Sequence, residues 1–424
     1  MNRPPSRSIS RREFLRRSAY SAAGIAGASG LLAACTRSTA PEASRSAVVS
    51  LEPPSPPSSD LDTFILDQMA IAEVPGLSVA VTKGSQMLWV KGYGWANIES
   101  RIPVDADTVF MLGSVSKTLT CAGVMKLVEQ GKLDVDADVN DYLPFGVRNP
   151  DYPKDPITTR MLLAHTSSIM DKWGIEGEGC SWDCHSKGDS PIALDDVLQG
   201  YFTPGSPYYV PGGGWNVFPP LGDWDYSNVG VALAGYLAEV VSGIPFGRFV
   251  NEQVCTPLGT DQSGFHLSDI TTANLAMPYH VSPNWSDAET NSYEPLGQFG
   301  YPAYPAGAFR TSAAHLARWL CAFVNFGVLD GVRVLESATV SEIRKPQFPE
   351  LAPKQGLVWS YRVRKNGRYT LLGHTGGDTG VATNMCFRLR DEVGVVMLAN
   401  GDAWFGEPMK TALVSIQGRL FSEA

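Results

Sequence analysis

Strand-like segments lie near both ends of this chain, and a long region of different character separates the two groups. Each segment is short, apolar and bounded by turn residues such as glycine. The first group covers residues 76–82 and 87–94, and the second covers 356–363, 369–373, 381–388 and 393–400. Between about 135 and 300 the sequence favours helices and long loops. We therefore predict an α+β fold, in which an antiparallel sheet flanked by helices is completed by both chain halves around a mostly helical insertion.

Composition and charge limit the kinds of partner. The 424 residues are 44% hydrophobic and 18% charged, which is typical of a globular protein with a large core. The formal net charge is -9, and no run of Lys or Arg outside the first 20 residues could neutralise phosphates. We therefore expect no nucleic-acid partner.

The first 35 residues have the features of a cleavable export signal. Arg11 and Arg12 form a twin-arginine pair that is followed closely by Phe-Leu, and small apolar residues occupy 19–34. That segment is too short and too rich in Gly, Ala and Ser to span a bilayer well. It ends in a tetrad that resembles a lipobox, with Cys35 as its last residue. We predict export by the twin-arginine route and lipidation of Cys35.

The predicted anchor would hold the folded part at the periplasmic face of the cell envelope. Thr36 stands where an aspartate would retain a lipoprotein at the inner membrane, so the outer membrane is a permitted destination. Residues 36–58 are rich in Pro, Ser and Ala, a composition typical of a tether. Residues 59–424 form the predicted folded domain.

Six cysteines remain after Cys35. Cys180 and Cys184 lie close together in a polar stretch, and the export route permits a disulfide between them. A zinc site with His185 is the weaker interpretation, because no second ligand cluster follows at zinc spacing. We predict no metal and no cofactor. The other four lie in apolar surroundings and are interpreted as small core residues: Cys121, Cys255, Cys321 and Cys386.

Ser114 and Lys117 are the first candidates for catalysis. They stand three residues apart at the start of a helical pattern, so both side chains point the same way. The helix N-terminus favours a developing oxyanion, and a buried lysine can lose its proton and accept that of the serine. By itself, a Ser-x-x-Lys pattern is weak and is more often an exposed helix face.

Two further elements accompany this pair. Tyr226 and Asn228 stand two residues apart at the mouth of another helix, where a phenol can relay a proton and an amide can hold a lysine or a carbonyl. An ordinary helix cap with a packed aromatic residue is the alternative. Residues 373–377 read Gly-His-Thr-Gly-Gly after one predicted strand and before another. Glycines there would let another backbone approach closely, and an ordinary turn is the alternative.

Together the three elements resemble those of the β-lactamase-related serine hydrolases, which include class C β-lactamases, penicillin-binding D,D-peptidases, D-aminopeptidases and esterases. The resemblance runs from about residue 60 to about 400, and further landmarks support it. They are the segments at 131–136, 162–168, 257–259, 306–312 and 398–400. The resemblance implies a β-lactamase/transpeptidase-like fold and a substrate, small molecule or peptide, with an ester, amide or lactam carbonyl.

The resemblance also implies a role for each residue. Ser114 is acylated, while Lys117 and Tyr226 share general-base and general-acid work. Asn228 orients the lysine and the substrate. The backbone N–H groups of Ser114 and Gly377 would form the oxyanion hole, and a water would complete the cycle. His374, Thr375 and Gly376 would line the substrate site, and His165 is interpreted as packed.

His374 departs from the family pattern, because many relatives have a lysine at this position. An imidazole is mostly neutral at pH 7, so it would be a poor partner for the carboxylate of a β-lactam. We therefore expect an esterase or a peptidase/amidase. The alternatives are a penicillin-binding or sensing module with little turnover and a genuine class C-like β-lactamase. An α/β-hydrolase is excluded because no Gly-x-Ser-x-Gly occurs, and a metallo-β-lactamase because no His-x-His pair occurs.

Overall fold

A computed structural model describes residues 60–172, 185–209, 213–282, 292–363, 369–402 and 409–424. All of these belong to one compact unit, Glu52–Ala424. The export signal at 1–35, the tether at 36–58 and the pair Cys180 and Cys184 lie outside the described residues. What the sequence predicts for them stays a prediction.

The strands follow one another along the chain in this order: β1 Gly76–Lys83, β2 Gln86–Asn97, β3 Ile102–Pro103, β4 Val109–Met111, β5 Ser186–Lys187, β6 Tyr279–Ser282, β7 Ser292–Pro295, β8 Phe299–Gly300, β9 Arg310–Ser312, β10 Val328–Leu329, β11 Val332–Arg333, β12 Ser360–Val363, β13 Tyr369–Asp378, β14 Val381–Arg388 and β15 Val393–Ala399. The helices are α1 Asp60–Ala72, α2 Ser116–Glu129, α3 Thr159–Ala164, α4 Leu194–Phe202, α5 Asn228–Ser242, α6 Phe246–Val250, α7 Ala313–Val324, α8 Ser337–Arg344 and α9 Met409–Glu423.

Seven of the strands form one sheet in the order β12-β13-β14-β15-β1-β2-β3. Every neighbouring pair in it is antiparallel. The two groups of strands meet where β1 pairs with β15, with Leu77 opposite Ala399. The predicted antiparallel sheet built from both chain halves is confirmed.

Helices cover both faces of the sheet, which explains why β15 is apolar along its whole length. On one face, α1 and α9 pack over Val395 and Met397. On the other, Val396 and Leu398 join the larger core, to which α2, α5 and α7 contribute. Since successive strand residues alternate between faces, a strand buried on both faces shows no polar alternation. Burying each such Val or Leu side chain completely stabilises the fold by about 1.5–3 kcal/mol.

Two predicted strand boundaries are wrong. Residues 356–359 form a turn in which Val358 has φ +54°, so β12 begins at Ser360. The segment 373–377 lies inside β13 and not after it, because its pairing with β14 continues as far as Asp378 opposite Val381. Glycine is a poor strand former, but the hydrogen-bond ladder to β14 overrides that local preference.

The predicted helical insertion stays a prediction as a separate body. Its described residues contain α3 to α6, together with short strand pairs. Within the described part of the chain, no single helix has both the length and the apolar character needed to cross a membrane. One bent pair, Asn228–Ser242 with Phe246–Leu258, meets that test by length and composition.

Candidate active site

Ser114 lies on a 3-10 turn, Gly113–Val115, that leads directly into α2. Gly113 has φ +52°, a left-handed conformation that favours glycine. A Cβ on Gly113 would also lie 2.9 Å from Gly377 N. The serine is thus presented at the start of a helix, half-buried, on a turn that only a glycine fits.

Lys117 is buried completely beneath the serine. Its Nζ lies 3.0 Å from Ser114 Oγ and donates to Asn228 Oδ1 at 2.6 Å and to Ala306 O at 2.6 Å. Burial lowers the pKa of Lys117 to about 7, against the opposing effect of the Asp171 and Asp378 carboxylates. A lysine that is partly deprotonated near neutral pH and contacts a serine hydroxyl is suited to be a general base.

Tyr226 packs its ring between Lys117 and His165. The lysine Nζ lies 5.0 Å from the centre of the phenol ring, and the His165 ring lies 4.4 Å away, centre to centre. Burial raises the pKa of Tyr226, and the Ser114 hydroxyl beside it opposes that rise. Its buried hydroxyl has no hydrogen-bond partner of acceptable geometry within the described part of the chain. At neutral pH the phenol therefore keeps its proton and can pass it on.

Asp171 is a component of the site that the sequence reasoning missed. Its carboxylate lies at the start of α5 and accepts hydrogen bonds from Asn228 N and Asn228 Nδ2, both at 2.8 Å. It also accepts from Val229 N at 3.0 Å and from Ser227 Oγ at 3.1 Å. Burial raises the pKa of Asp171, while the donors of Asn228 and Val229 and the charge of Lys117 oppose the rise.

The contacts of Asp171 determine which way the Asn228 amide faces. Because Asp171 holds Nδ2, the other end of the amide, Oδ1, faces the ammonium of Lys117. With the amide reversed, two donors would face each other. The sequence held one signal that could have identified Asp171. It is an acidic residue directly after the apolar pair Ile169 and Met170, three residues beyond the family landmark at 162–168.

Gly376 and Gly377 bring β13 against the turn Gly113–Val115 that carries Ser114, here called the serine turn. A Cβ on Gly376 would lie 2.0 Å from Leu112 O and 3.0 Å from Ser114 N. Thr383 Oγ1, on the neighbouring strand, donates to the same Leu112 carbonyl at 2.5 Å. The backbone nitrogens of Ser114 and Gly377 therefore lie close together, where β13 packs against the turn that carries Ser114.

His374 and Thr375 lie on the same strand, beyond these glycines. The His374 imidazole is half-buried, and its Nδ1 lies 2.6 Å from Thr375 O. Enclosure lowers the pKa of His374, and the nearby Lys117 lowers it further, so the ring is neutral at pH 7. The Thr375 residue is exposed.

His165 has a structural place. It ends α3 in a left-handed conformation, φ +59°, and its Nδ1 accepts from Ser227 N at 3.2 Å. Burial lowers the pKa of His165 well below its usual value. It is a neutral packing residue between α3 and the loop that leads to α5, consistent with its interpretation from the sequence.

Of the eight predicted residues outside the leader and the Cys pair, the structure brings six together around Ser114: Ser114, Lys117, Tyr226, Asn228, Gly376 and Gly377. His374 lies beside Tyr226, and Thr375 is its exposed neighbour on β13. The four core cysteines are buried and free. In the described part of the chain, no cluster of three or more His, Cys, Asp or Glu side chains is placed to hold a metal. The arrangement places a serine hydroxyl, a buried amine, a phenol and the backbone nitrogens of Ser114 and Gly377 in one site.

Known proteins share this arrangement of segments. A family model described as Beta-lactamase matches residues 61–417. The chain is 38% identical over 113 residues to the serine beta-lactamase-like protein LACTB, mitochondrial, of Homo sapiens, covering 26% of this chain and 20% of that protein. It is 30% identical over 226 residues to esterase EstB of Burkholderia gladioli, covering 52% of this chain and 54% of that protein. The matched segments span about half or less of these relatives' own lengths.

Solved structures share the fold. The D-amino acid amidase from Ochrobactrum anthropi SV3, crystallised with D-phenylalanine, superposes with a TM-score of 0.66 at 17% sequence identity. The superposition covers 86% of this chain and 100% of the amidase chain.

Proposed function

Because the chain belongs to the Beta-lactamase family, whose members are serine hydrolases, we propose that it is an esterase or a peptidase/amidase that acts through an acyl-enzyme on Ser114. One observation carries this proposal. The Nζ of Lys117 contacts Ser114 Oγ at 3.0 Å, while burial holds the pKa of that lysine near 7. A base of that pKa, in contact with the hydroxyl, is what nucleophilic attack by a serine needs.

The proposed reaction begins when Ser114 Oγ attacks the substrate carbonyl carbon and its proton moves to Lys117 Nζ. The carbonyl oxygen becomes an oxyanion, to which Ser114 N and Gly377 N donate. As the intermediate collapses, the bond to the leaving oxygen or nitrogen breaks. The leaving atom takes a proton from Lys117 by way of the Tyr226 hydroxyl. Water then attacks the acyl carbonyl carbon and gives its proton to Lys117 Nζ. As this second intermediate collapses, the bond to Ser114 Oγ breaks and the serine takes that proton back from Lys117.

A fluorophosphonate probe tests the assignment of the nucleophile. We expect one covalent adduct per chain, and fragmentation of the labelled peptide should place it on Ser114. Ser116, two residues away, is an internal control, because its hydroxyl is buried and accepts from Phe309 N. An adduct on any other residue would contradict the proposal.

A substrate panel tests the choice among activities. It consists of nitrophenyl esters, D-amino-acid anilides, D-Ala-D-Ala peptides and nitrocefin. Esterase EstB and the D-amino acid amidase are named for ester and amide substrates, and the neutral His374 disfavours a β-lactam carboxylate. We expect esters or D-amino-acid amides to be hydrolysed fastest, whereas nitrocefin turnover far above the esters would favour a β-lactamase.

We also propose that the protein is exported and lipid-anchored at the cell envelope. The support is in the sequence, in the pair Arg11-Arg12 and in the lipobox-like end at Cys35. In a bacterial host with a twin-arginine pathway, the wild type is expected in the membrane fraction. The Cys35→Ser variant is expected in the soluble fraction. If the wild type fractionates as a soluble protein, this proposal is wrong.

A further inference from the structure

A cavity of about 260 Å³ lies between residues 189–194 and the loop that leads to β9. Most of its walls are aromatic or aliphatic. These walls are formed by Pro191, Ile192, Leu194, Phe265, Tyr301 and Tyr304. The proposed reaction uses none of these residues, so the cavity is a separate feature of the fold.

Tyr301 joins this cavity to the serine turn. The residue is buried, and it lines the cavity. A Cβ on Gly307 would overlap the Tyr301 hydroxyl and would lie 3.5 Å from Gly113 C. Gly307 therefore leaves room for the phenol, whose hydroxyl lies beside the residue that precedes Ser114. The tyrosine thus adjoins both the serine turn and the cavity.

The face of β13 that meets Ser114 has two ends. Residues 374, 376 and 378 point to the same side of the strand, because strand side chains alternate. A Cβ on Gly376, in the middle, would lie 3.0 Å from Ser114 N. His374 marks one end, where its ring lies 6.2 Å from that of Tyr226, centre to centre. The leaving atom takes its proton from Tyr226 in the proposed reaction, so the leaving group lies at this end.

Tyr301 lies near the other end of that face. Asp378 is there, and its Oδ1 lies 3.4 Å from His185 Nε2. The His185 ring in turn stacks on Tyr301, with ring centres 5.7 Å apart. Since the acyl group extends from the reacting carbonyl away from the leaving group, it points toward Tyr301 and the cavity.

Two polar side chains of the cavity are engaged by their own neighbours. Asp189 accepts from Leu267 N at 2.8 Å, and its carboxylate lies 3.8 Å from the buried guanidinium of Arg310. Ser190 Oγ accepts from Ile192 N at 3.1 Å. What the cavity mainly offers is therefore aromatic and aliphatic surface, which an apolar group covers favourably.

We propose that this cavity binds the acyl group of the substrate, and that the acyl group is an apolar chain. This rests on the proposed function and names its substrate class, the esters of apolar carboxylic acids. Tyr301 forms the wall nearest the nucleophile, and Ile192 lines the cavity from the segment 189–194. Both are specificity-determining residues, and neither takes part in making or breaking a bond.

The test compares para-nitrophenyl acetate with para-nitrophenyl hexanoate, which share a leaving group and differ in the acyl chain. In wild type we expect kcat/KM for the hexanoate to exceed that for the acetate about tenfold or more, because each buried methylene favours binding about fourfold. Ile192→Trp places a larger side chain in the cavity. It should lower kcat/KM for the hexanoate about tenfold and leave the acetate within about twofold.

Ile192→Ala changes the cavity in the opposite direction. The smaller side chain lengthens the space for the chain, so we expect kcat/KM for para-nitrophenyl octanoate to rise relative to the hexanoate. Because the acetate does not reach Ile192, its hydrolysis also shows that each variant is folded.

Ile71→Trp is the matched control. Ile71 is 63% exposed on α1, outside the cavity lining, and we expect its replacement to leave the ratio of the two esters unchanged. If wild type prefers the acetate, or if Ile192→Trp lowers both esters equally or changes neither, the assignment of the cavity is wrong. Failure of the proposed function is distinguishable, because the wild type would then hydrolyse neither ester and would carry no adduct on Ser114.

Discussion

Replacing Lys117 by methionine is expected to lower kcat/KM on a neutral ester by about 10³- to 10⁴-fold, the upper range for a general base. Methionine has an unbranched side chain of similar length but no nitrogen to take the proton of Ser114. The change also leaves Asn228 Oδ1 and Ala306 O without their donor. Each lost partner costs about 1–3 kcal/mol, so we expect a lower melting temperature as well. Steady-state kinetics and thermal unfolding measure the two effects.

The Lys117→Arg variant distinguishes the loss of the proton acceptor from the loss of the positive charge. Arginine keeps a cation but does not lose its proton in proteins, so we expect this variant to be as inactive as the methionine variant. Lys126→Met is the control on the same helix. Its Nζ contacts Glu129 and Val334 O and is partly exposed, and we expect a change within about twofold. If Lys117→Met keeps wild-type activity, another group is the base.

Replacing Asp171 by asparagine is expected to lower kcat/KM by about 10²-fold, the cost of a misplaced catalytic group. Four donors face this carboxylate, and an asparagine would turn its own N–H₂ toward some of them. Asn228 then loses the contact that fixes its amide, and its oxygen no longer faces Lys117 reliably. The lost hydrogen bonds also reduce the free energy of unfolding by about 1–3 kcal/mol.

The pH profile tells this effect apart from a loss of packing. In wild type, kcat/KM should rise with pH as Lys117 loses its proton, with a midpoint of about 7. The Asp171 carboxylate raises the pKa of Lys117, so removing its charge should move the midpoint to lower pH. Asp225→Asn is the control, since Asp225 accepts from Asn216 and does not contact Asn228. An unchanged midpoint in Asp171→Asn would refute the electrostatic role.

The central part of the site could be predicted because local spacing determines it. Ser114 and Lys117 stand three residues apart, so helix geometry alone places them together. Tyr226 and Asn228 flank a single helix start in the same way. The pairing of these two elements with residues 373–377 required the family resemblance, since no spacing along the chain brings them together.

The residues that were missed act through contacts that only the fold creates. Asp171 is an ordinary acidic residue until α5 places four donors around it. Ala306 contributes a backbone carbonyl, which has no signature in the sequence. Residues 373–377 were predicted to follow a strand, because the pairing with β14 that extends β13 to Asp378 has no signature along the chain.

The pairing of β1 with β15 has a consequence for synthesis on the ribosome. Leu112 and Thr383, which join the serine turn to β14, are 271 residues apart. Contacts of such long range close late, because loop entropy must be overcome first. A nascent chain that already contains Ser114 therefore has no cradle for an oxyanion, and its β1 presents an open edge to other strands. We therefore expect a chain that terminates before β15 to lack hydrolytic activity and to be prone to aggregation.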